Sequence, residues 1–158
     1  MARDQTTTAD AANATETSAV TAESRTATHT VVEVRDFEFS VDEPTDVGGT
    51  NAGPNPVEYL LGALAGCLNV VGHQVAEERD LTVRNIAIEI EGDLDPRKFL
   101  GESEDPRAGY QDLRADVTVD SPAEEAELAD WLEAVEERCP VADTLANPTP
   151  IALSVETD

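Results

Sequence analysis

The chain has 158 residues, with 34 Asp and Glu against ten Lys and Arg, and a formal net charge of −24. So acidic a chain excludes the clustered cations that a nucleic-acid backbone requires of its partner. No run approaches the roughly 18 consecutive apolar residues of a membrane span. Two cysteines are too few for the disulfide framework of a small secreted scaffold. With 40% apolar residues, the chain is expected to bury the core of one domain.

The cations themselves point to a saline environment. Lys98 is the only lysine, and the other nine cations are arginines. At molar salt the Debye length is about 3 Å, so the repulsion within such an acidic surface is screened. The composition therefore predicts a protein from a salt-adapted organism.

The first 24 residues are predicted to be a disordered tail. They consist mainly of Thr, Ala, Ser and acidic residues, which bury too little apolar surface to offset the entropy of ordering. No apolar stretch follows a positively charged start, so the segment does not read as a signal peptide. We therefore expect a cytoplasmic protein with reduced thiols, whose single domain covers residues 25–158.

The next segments alternate between apolar and polar residues, as strands do. Thr26 to Val41 predicts two strands or one long bent strand, and Pro44 ends the pattern. A loop rich in Gly, Asn and Pro follows from Gly48 to Pro56. Leu81 to Glu91 and Leu113 to Val119 alternate again, on either side of a polar loop.

Two helices are predicted. The first begins near Pro56 and carries an apolar stripe made of Leu60, Leu64, Cys67, Leu68, Val71 and Val75. Its small residues Gly62, Ala63, Ala65 and Gly66 would let another backbone pack closely against it. The second helix is predicted to begin at a capping box formed by Ser121 and Glu124, and Pro140 is expected to end it.

A last strand is predicted over Ile151 to Val155, because apolar and small polar residues alternate there. The order of elements is then β-β-α-β-β-α-β, which is not the strict alternation of a doubly wound sheet. We predict an α+β domain in which two helices cover a largely antiparallel sheet.

Cys67 and Cys139 each lie on the apolar stripe of a helix, so the two thiols could meet in one cleft. Buried free cysteines are common as small hydrophobic residues, and that alternative stays open. A zinc site would need His29 and His73 as well, at spacings that fit no zinc-binding motif. No phosphate-binding loop or serine nucleophile motif is present either.

Four segments resemble the OsmC/Ohr family of thiol-dependent hydroperoxide reductases. They are VDEPTDVGG from Val41, PNPVEYLLGALAGC from Pro54, IEGDLD from Ile90 and RCPVADTL from Arg138. The second and fourth segments are the specific ones. The resemblance spans roughly Ser24 to Val155 and is closest to the broad OsmC-like branch.

The resemblance implies a fold and a reaction. The fold is an intertwined α+β homodimer, in which two mainly antiparallel sheets surround two central helices. By position, Cys67 would be the peroxidatic cysteine and Cys139 the resolving one. The substrate would be a small organic hydroperoxide and the reductant an external dithiol, lipoyl- or thioredoxin-like. Neither a cofactor nor a metal is implied.

The family pattern also includes an arginine from the N-terminal strands and a glutamate directly after Asn-Pro. Here Val57 follows Asn55-Pro56, and the glutamate is Glu58. We expect Arg35 to be the arginine, with Arg25 as the alternative. On an ideal helix Glu58 lies opposite Cys67, so it can equally be an acid favoured by the helix N-terminus.

This departure at Glu58 keeps other functions open. The first hypothesis is a peroxidase that acts through Cys67 and Cys139. The second is a non-catalytic OsmC-like domain that binds a small apolar ligand or senses redox state. The third is a structural dimer whose cysteines are merely buried.

Overall fold

The computed structural model describes residues 15–157. The chain divides into two compact units between Asn55 and Pro56, inside the stretch predicted to be one domain. We refer to them as the N-terminal and the C-terminal unit.

The N-terminal unit contains a three-stranded antiparallel sheet. Its strands are β1 (Thr21–Ser24), β2 (Thr30–Val34) and β3 (Phe37–Val41), with β2 in the middle. Val34 pairs with Phe37, so β2 and β3 form a hairpin joined by two residues, Arg35 and Asp36. Of the two alternatives predicted for this region, the structure has two strands and not one long bent strand.

The predicted disordered tail is wrong for its last residues. Residues 1–14 lie outside the described chain, but Thr21–Ser24 is the strand β1. Thr21 pairs with Glu33 and Ser24 with Thr30, although the side chains of all four β1 residues are exposed. The strand is held by backbone hydrogen bonds, so it leaves no hydrophobic pattern in the sequence.

A buried carboxylate organises the loop that follows β3. Asp42 is fully buried and accepts hydrogen bonds from the N–H groups of Glu43 (2.9 Å), Thr50 (2.9 Å) and Ala52 (3.1 Å). The Thr50 hydroxyl donates a fourth hydrogen bond of 2.5 Å. A short 3₁₀ turn, Thr45–Val47, lies within this loop. One side chain thus fixes the conformation of a segment rich in Gly, Asn and Pro.

The C-terminal unit is built on the helix α1 (Pro56–Glu78). Pro56 suits a first-turn position because the missing N–H has no partner there in any case. By length and composition α1 could span a membrane. Its buried face, however, packs on the second helix and on a strand, as the core helix of a globular unit does.

A hairpin and two further helices complete this unit. The strands β4 (Asn85–Asp93) and β5 (Asp112–Asp120) pair antiparallel, and α2 (Glu125–Arg138) and α3 (Pro140–Ala146) follow. The buried core comes from α1, α2 and the residue that joins α2 to α3. Its members are Leu64, Leu68, Val71, Val75, Ala76, Trp131, Val135 and Cys139. The predicted α+β class with antiparallel sheets is confirmed.

Several predicted boundaries are wrong. The helix α2 begins at Glu125, because the Ser121 hydroxyl accepts the N–H of Ala123 (3.1 Å) in a local turn instead of capping the helix. The N–H of Glu124 donates to the carboxylate of Glu127 (3.2 Å), so the capping box lies three residues later than predicted.

The C-terminal end also differs from the prediction. Ile151 to Val155 forms no strand, and Ile151 is 81% exposed. The alternating pattern is present, but within residues 15–157 these residues pair with no other strand. The sequence does not predict the helix α3, because Pro140 indicates only the end of α2.

Candidate functional site

Two cysteine side chains meet in the C-terminal unit. Cys67 lies in the middle of α1 and is half-buried, while Cys139 is fully buried. The Cys139 thiol donates to the sulfur of Cys67, and the two Sγ atoms are 2.9 Å apart. The sequence separates these residues by 72 positions. The fold therefore creates a thiol pair between α1 and the residue that joins α2 to α3.

The position of Cys139 follows from the proline after it. Proline lacks the N–H that would continue α2, but it fits the first position of a new helix. Cys139 adopts an extended conformation between α2 and α3, and its sulfur accepts the N–H of Ala142 at 3.4 Å. Cys139 thus ends one helix and caps the next, which fixes its sulfur beside Cys67.

The C-terminal unit disfavours ionisation of Cys67. Burial raises the pKa of the Cys67 thiol, and the hydrogen bond from Cys139 raises it further. The N–H of Val141 acts in the opposite direction, because a hydrogen-bond donor favours the thiolate. Since the two larger effects oppose ionisation, a catalytic Cys67 needs a cation to activate it.

An open groove of about 640 Å³ lies near the thiol pair, although neither cysteine lines it. Ala142, whose N–H binds the sulfur of Cys139, lines one end of it. The apolar lining comes from α1, β5, α2 and α3, and comprises Leu60, Leu64, Leu68, Leu113, Ala115, Val117, Leu132, Ala142, Leu145 and Ala146. The groove thus gives an apolar molecule a place to lie next to the cysteines.

Polar residues from the loop between β4 and β5 line the other end of the groove. The Tyr110 hydroxyl donates a hydrogen bond of 3.0 Å to the carbonyl of Val57, in the first turn of α1. The Tyr110 ring packs so closely that a β carbon on Gly92 would lie 2.5 Å from it. Burial raises the pKa of Tyr110, and the charge of Glu58 adds to this. The sequence does not predict this polar end, because the loop has no regular pattern.

Glu58 is not brought to Cys67 within one chain. Both residues belong to α1, nine positions apart. At 100° and 1.5 Å per residue they lie about half a turn apart and about 14 Å along the axis. Glu58 is in the first turn, where the helix N-terminus favours an acid.

The two candidate arginines lie in the N-terminal unit. Arg35 is in the turn between β2 and β3, with a φ of 53°, and its guanidinium carbon is 5.1 Å from the centre of the Phe37 ring. Arg25 binds Glu23 at 2.9 Å. Arg25 is therefore occupied by a carboxylate, which favours Arg35 as the more available cation.

Arg138 precedes Cys139 but is directed elsewhere. Its guanidinium forms a two-pronged ion pair with Glu78 at the end of α1, with one contact of 2.9 Å. The pair lowers the pKa of Glu78 and links the C-terminal ends of α1 and α2. Arg138 therefore supports the position of Cys139 through the helices.

The histidines do not join the cysteines in a metal site. His29 Nε2 is 3.0 Å from the Ser40 hydroxyl in the N-terminal unit, and His73 is an exposed residue of α1. Within residues 15–157, no three His, Cys, Asp or Glu side chains are grouped so that they could hold a metal ion. The two thiols are therefore the candidate reactive groups of this site.

Known proteins resemble this chain in sequence and in structure. The family model described as "OsmC-like protein" matches residues 49–154, about two thirds of the chain. A hydroperoxide reductase of Mycoplasma genitalium is 29% identical over 93 residues, which are 59% of this chain and 62% of the relative. The match thus covers about three fifths of that relative's length.

Solved structures agree with the fold. An OsmC-like protein from Mycoplasma pneumoniae superposes with a TM-score of 0.72 at 20% identity, over 83% of this chain and 88% of the other. An organic hydroperoxide resistance protein from Legionella pneumophila gives a TM-score of 0.61 at 18% identity, over 84% and 91%. At these identities the likeness establishes the fold alone. Together with the family match, it shows that the chain belongs to the OsmC family.

Proposed function

We propose that the protein is a thiol-dependent peroxidase that reduces organic hydroperoxides to alcohols. The observation that carries the proposal is the 2.9 Å separation of the Cys67 and Cys139 sulfurs beside an apolar groove. The hydroperoxide reductase name of the Mycoplasma genitalium relative points the same way.

The reaction divides into two steps on the enzyme. The Cys67 thiolate attacks the terminal peroxide oxygen, an S–O bond forms and the O–O bond breaks. The alkoxide takes up a proton and leaves as an alcohol, and Cys67 becomes a sulfenic acid. Cys139 then attacks this sulfur, an S–S bond forms and water leaves. An external dithiol, lipoyl- or thioredoxin-like, restores both thiols by exchange.

Cys67 is the attacking residue in this proposal because it is the less buried of the two thiols. Cys139 is fully buried and capped by the N–H of Ala142, so it meets the peroxide only through Cys67. The two sulfurs need to approach by only about 1 Å to reach the bond length of a disulfide. This short path favours direct resolution.

Arg35 is proposed to supply the cation that Cys67 needs. A nearby guanidinium would lower the pKa of the thiol and stabilise charge on the leaving oxygen. Glu58 is proposed to orient Arg35. Because Glu58 and Cys67 lie on opposite faces of one helix, this role requires Glu58 to act through the arginine, not on the sulfur itself.

We propose that the working form is a cytoplasmic homodimer. Gly62 and Gly66 lie on exposed parts of α1, and a β carbon at either would meet no atom within 4 Å. This open, small-residue face favours close approach of a second copy's helix. Sedimentation of wild type and Gly66→Leu tests it, and a wild-type monomer at micromolar concentration would contradict it.

Peroxide consumption with excess dithiol tests the proposed reaction. Cumene hydroperoxide and hydrogen peroxide are compared for wild type, Cys67→Ser and Cys139→Ser in molar salt. We expect turnover of the organic peroxide that disappears in Cys67→Ser and slows in Cys139→Ser. Equal consumption by folded wild type and Cys67→Ser would contradict the proposal.

A second candidate is a non-catalytic domain that binds an apolar ligand or senses redox state. The raised pKa of Cys67 together with the open apolar groove favours it. In that case an alkyl compound without a peroxide group would bind to Cys67→Ser as tightly as to wild type, and neither protein would consume peroxide.

A further inference from the structure

The groove beside the thiols has chemically different ends. Leu60, Leu64 and Leu68 line it on successive turns of α1, over about 12 Å. At one end Leu68 follows Cys67 in the chain, and Ala142 binds Cys139. We call this the thiol end. Tyr110 marks the opposite end, because its hydroxyl binds the carbonyl of Val57 in the first turn of α1.

Arg107 lies at the Tyr110 end. A guanidinium nitrogen of Arg107 is 3.6 Å from the position that a β carbon on Gly109 would occupy, so the side chain folds back over its own loop. The Gln111 amide holds the loop together by donating to the carbonyls of Arg107 (3.0 Å) and Gly109 (2.9 Å). We call this the arginine end.

The Arg107 guanidinium is available to a ligand. Six of the other cations, including the neighbouring Arg97 and Lys98, form ion pairs with Asp or Glu. Within residues 15–157, no carboxylate lies within 4 Å of Arg107 in an ion pair. Among the described residues that line the groove, Arg107 is the single basic one.

The two acids that line the groove do not neutralise this end. The carboxylate of Asp112 accepts a hydrogen bond from Arg114 at 3.0 Å. Glu136 lies one turn before Cys139 on α2, and its carbonyl accepts the N–H of Cys139, so it belongs to the thiol end. Glu136 would repel a negative group from the thiol end. The charge of Glu58 reaches Tyr110 at the arginine end, and Arg107 is the cation that would offset it there.

From this arrangement we propose that Arg107 binds the carboxylate of an apolar hydroperoxide. The alkyl chain of the substrate lies along the leucines, with the hydroperoxide at the thiol end and the carboxylate at Arg107. Arg107 is then a specificity residue that orients the substrate and takes no part in the bond changes. This inference rests on the proposed peroxidase and names its substrate class.

The test compares a linear hydroperoxide that carries a terminal carboxylate with its methyl ester. Kinetics are measured at one ionic strength for wild type, Arg107→Gln and Arg79→Gln. Arg79→Gln is a matched control, because it removes the same charge as Arg107→Gln. Arg79 is exposed directly after α1 and does not line the groove. The general repulsion of anions by the acidic protein is thus equal in the two variants.

We expect Arg107→Gln to raise KM for the acid about tenfold, the effect of losing one charge-assisted hydrogen bond at a partly exposed site. The kcat for the acid, and both constants for the ester, should stay within about twofold because the bond changes are untouched. In Arg79→Gln the ratio of KM for the acid to KM for the ester should be that of wild type. If this KM ratio is unchanged in Arg107→Gln, or changes equally in Arg79→Gln, the inference is overturned.

Binding without turnover separates this inference from the proposed function. Decanoate and methyl decanoate are titrated calorimetrically into the Cys67→Ser forms of the same three proteins. We expect decanoate to bind about tenfold more weakly when Arg107 is replaced by Gln. Equal affinities for decanoate would contradict the role of Arg107. Loss of peroxide consumption in wild type, with this binding difference intact, would instead contradict the peroxidase.

Discussion

The indole N–H of Trp131 donates a buried hydrogen bond of 2.8 Å to the backbone carbonyl of Gly72. The contact joins α2 to the middle of α1, one and a half turns beyond Cys67. It is possible because position 72 has no side chain. A β carbon there would lie 3.0 Å from the Trp131 ring and 2.9 Å from Cδ1 of Ile86. Gly72 therefore sets how closely α1, which carries Cys67, approaches α2, which Cys139 follows.

Replacing this glycine should destabilise the C-terminal unit. Gly72→Ala is expected to lower the free energy of unfolding by about 1 to 3 kcal/mol, because the methyl group overpacks a rigid core. Adding Ile86→Val, which removes one of the clashing carbons, should recover part of the loss. Urea unfolding followed by tryptophan fluorescence measures both. A Gly72→Ala protein as stable as wild type would contradict this account of the packing.

Removing the donor tests the hydrogen bond itself. Trp131→Phe keeps an aromatic ring but leaves the buried carbonyl of Gly72 without its partner, which costs about 1 to 3 kcal/mol. The same unfolding measurement in Trp131→Phe, followed by circular dichroism, checks this. Unchanged stability would mean that water replaces the indole.

The sequence predicts the elements whose pattern is strong and local. The α1 helix begins at Pro56, as predicted, and its apolar stripe from Leu60 to Val75 runs over about four turns. The strand β1 and the helix α3 are not predictable in this way. β1 depends on backbone pairing with β2, and α3 begins at a proline that equally ends the helix before it.

The candidate site is predictable in part. Cys67 and Cys139 are singled out by their helical stripes and by the family resemblance, but their contact depends on the packing of α1 against α2. The arginine end of the groove is not predictable, because Arg107 lies in a polar loop. The path of this loop depends on the hydrogen bond from Tyr110 to Val57, a residue far away in the sequence. Ile151 to Val155 shows the reverse case, in which a strand pattern is present without a partner strand.

Asp42 should stabilise the loop before α1 over a defined pH range. Hydrogen bonds, first from the Thr50 hydroxyl and then from backbone N–H groups, hold the pKa of Asp42 well below its usual range despite burial. A carboxyl with a lowered pKa stabilises the folded state above its unfolded pKa of about 4, and this stabilisation is lost as the pH falls below that value.

Asp42→Asn tests this prediction, because the amide NH₂ would face N–H donors. We expect the melting temperature to fall at pH 7 and the difference from wild type to shrink in acid below about pH 4. Asp46→Asn, in the same loop but exposed, is the control. A difference that is the same at pH 3 and pH 7 would show that the charge of Asp42 is not responsible.

The reactivity of Cys67 should depend on Arg35. Burial and the contact with Cys139 raise the pKa of Cys67 in the C-terminal unit, so without a cation its alkylation should accelerate only above the pH range of an ordinary thiol. With Arg35 present we expect that transition at lower pH. The rate of iodoacetamide labelling at Cys67 is measured against pH by peptide mass spectrometry, in wild type, Arg35→Ala and Arg25→Ala.

The expected order distinguishes the two arginines. Arg35→Ala should move the labelling transition to higher pH, whereas Arg25→Ala, whose partner is Glu23, should leave it in place. Identical profiles in all three proteins would remove Arg35 from the site. A shift in Arg25→Ala alone would transfer the role to Arg25.

The net charge of −24 should make folding depend on salt. At low ionic strength the repulsion among exposed carboxylates is unscreened and destabilises the compact state. We expect helical circular dichroism to decrease on dialysis from molar to millimolar salt and to return when salt is restored. A signal and melting temperature that do not change with salt would contradict adaptation to a saline environment.

The most direct test of the central claim is to measure the oxidation state of the two cysteines after reaction with one equivalent of cumene hydroperoxide. Intact and peptide mass spectrometry should show a disulfide between Cys67 and Cys139 in wild type, formed in place of the 2.9 Å thiol contact. In Cys139→Ser the reaction should stop at a Cys67 sulfenic acid that dimedone traps. A folded wild-type protein that retains both thiols after the peroxide would contradict the account.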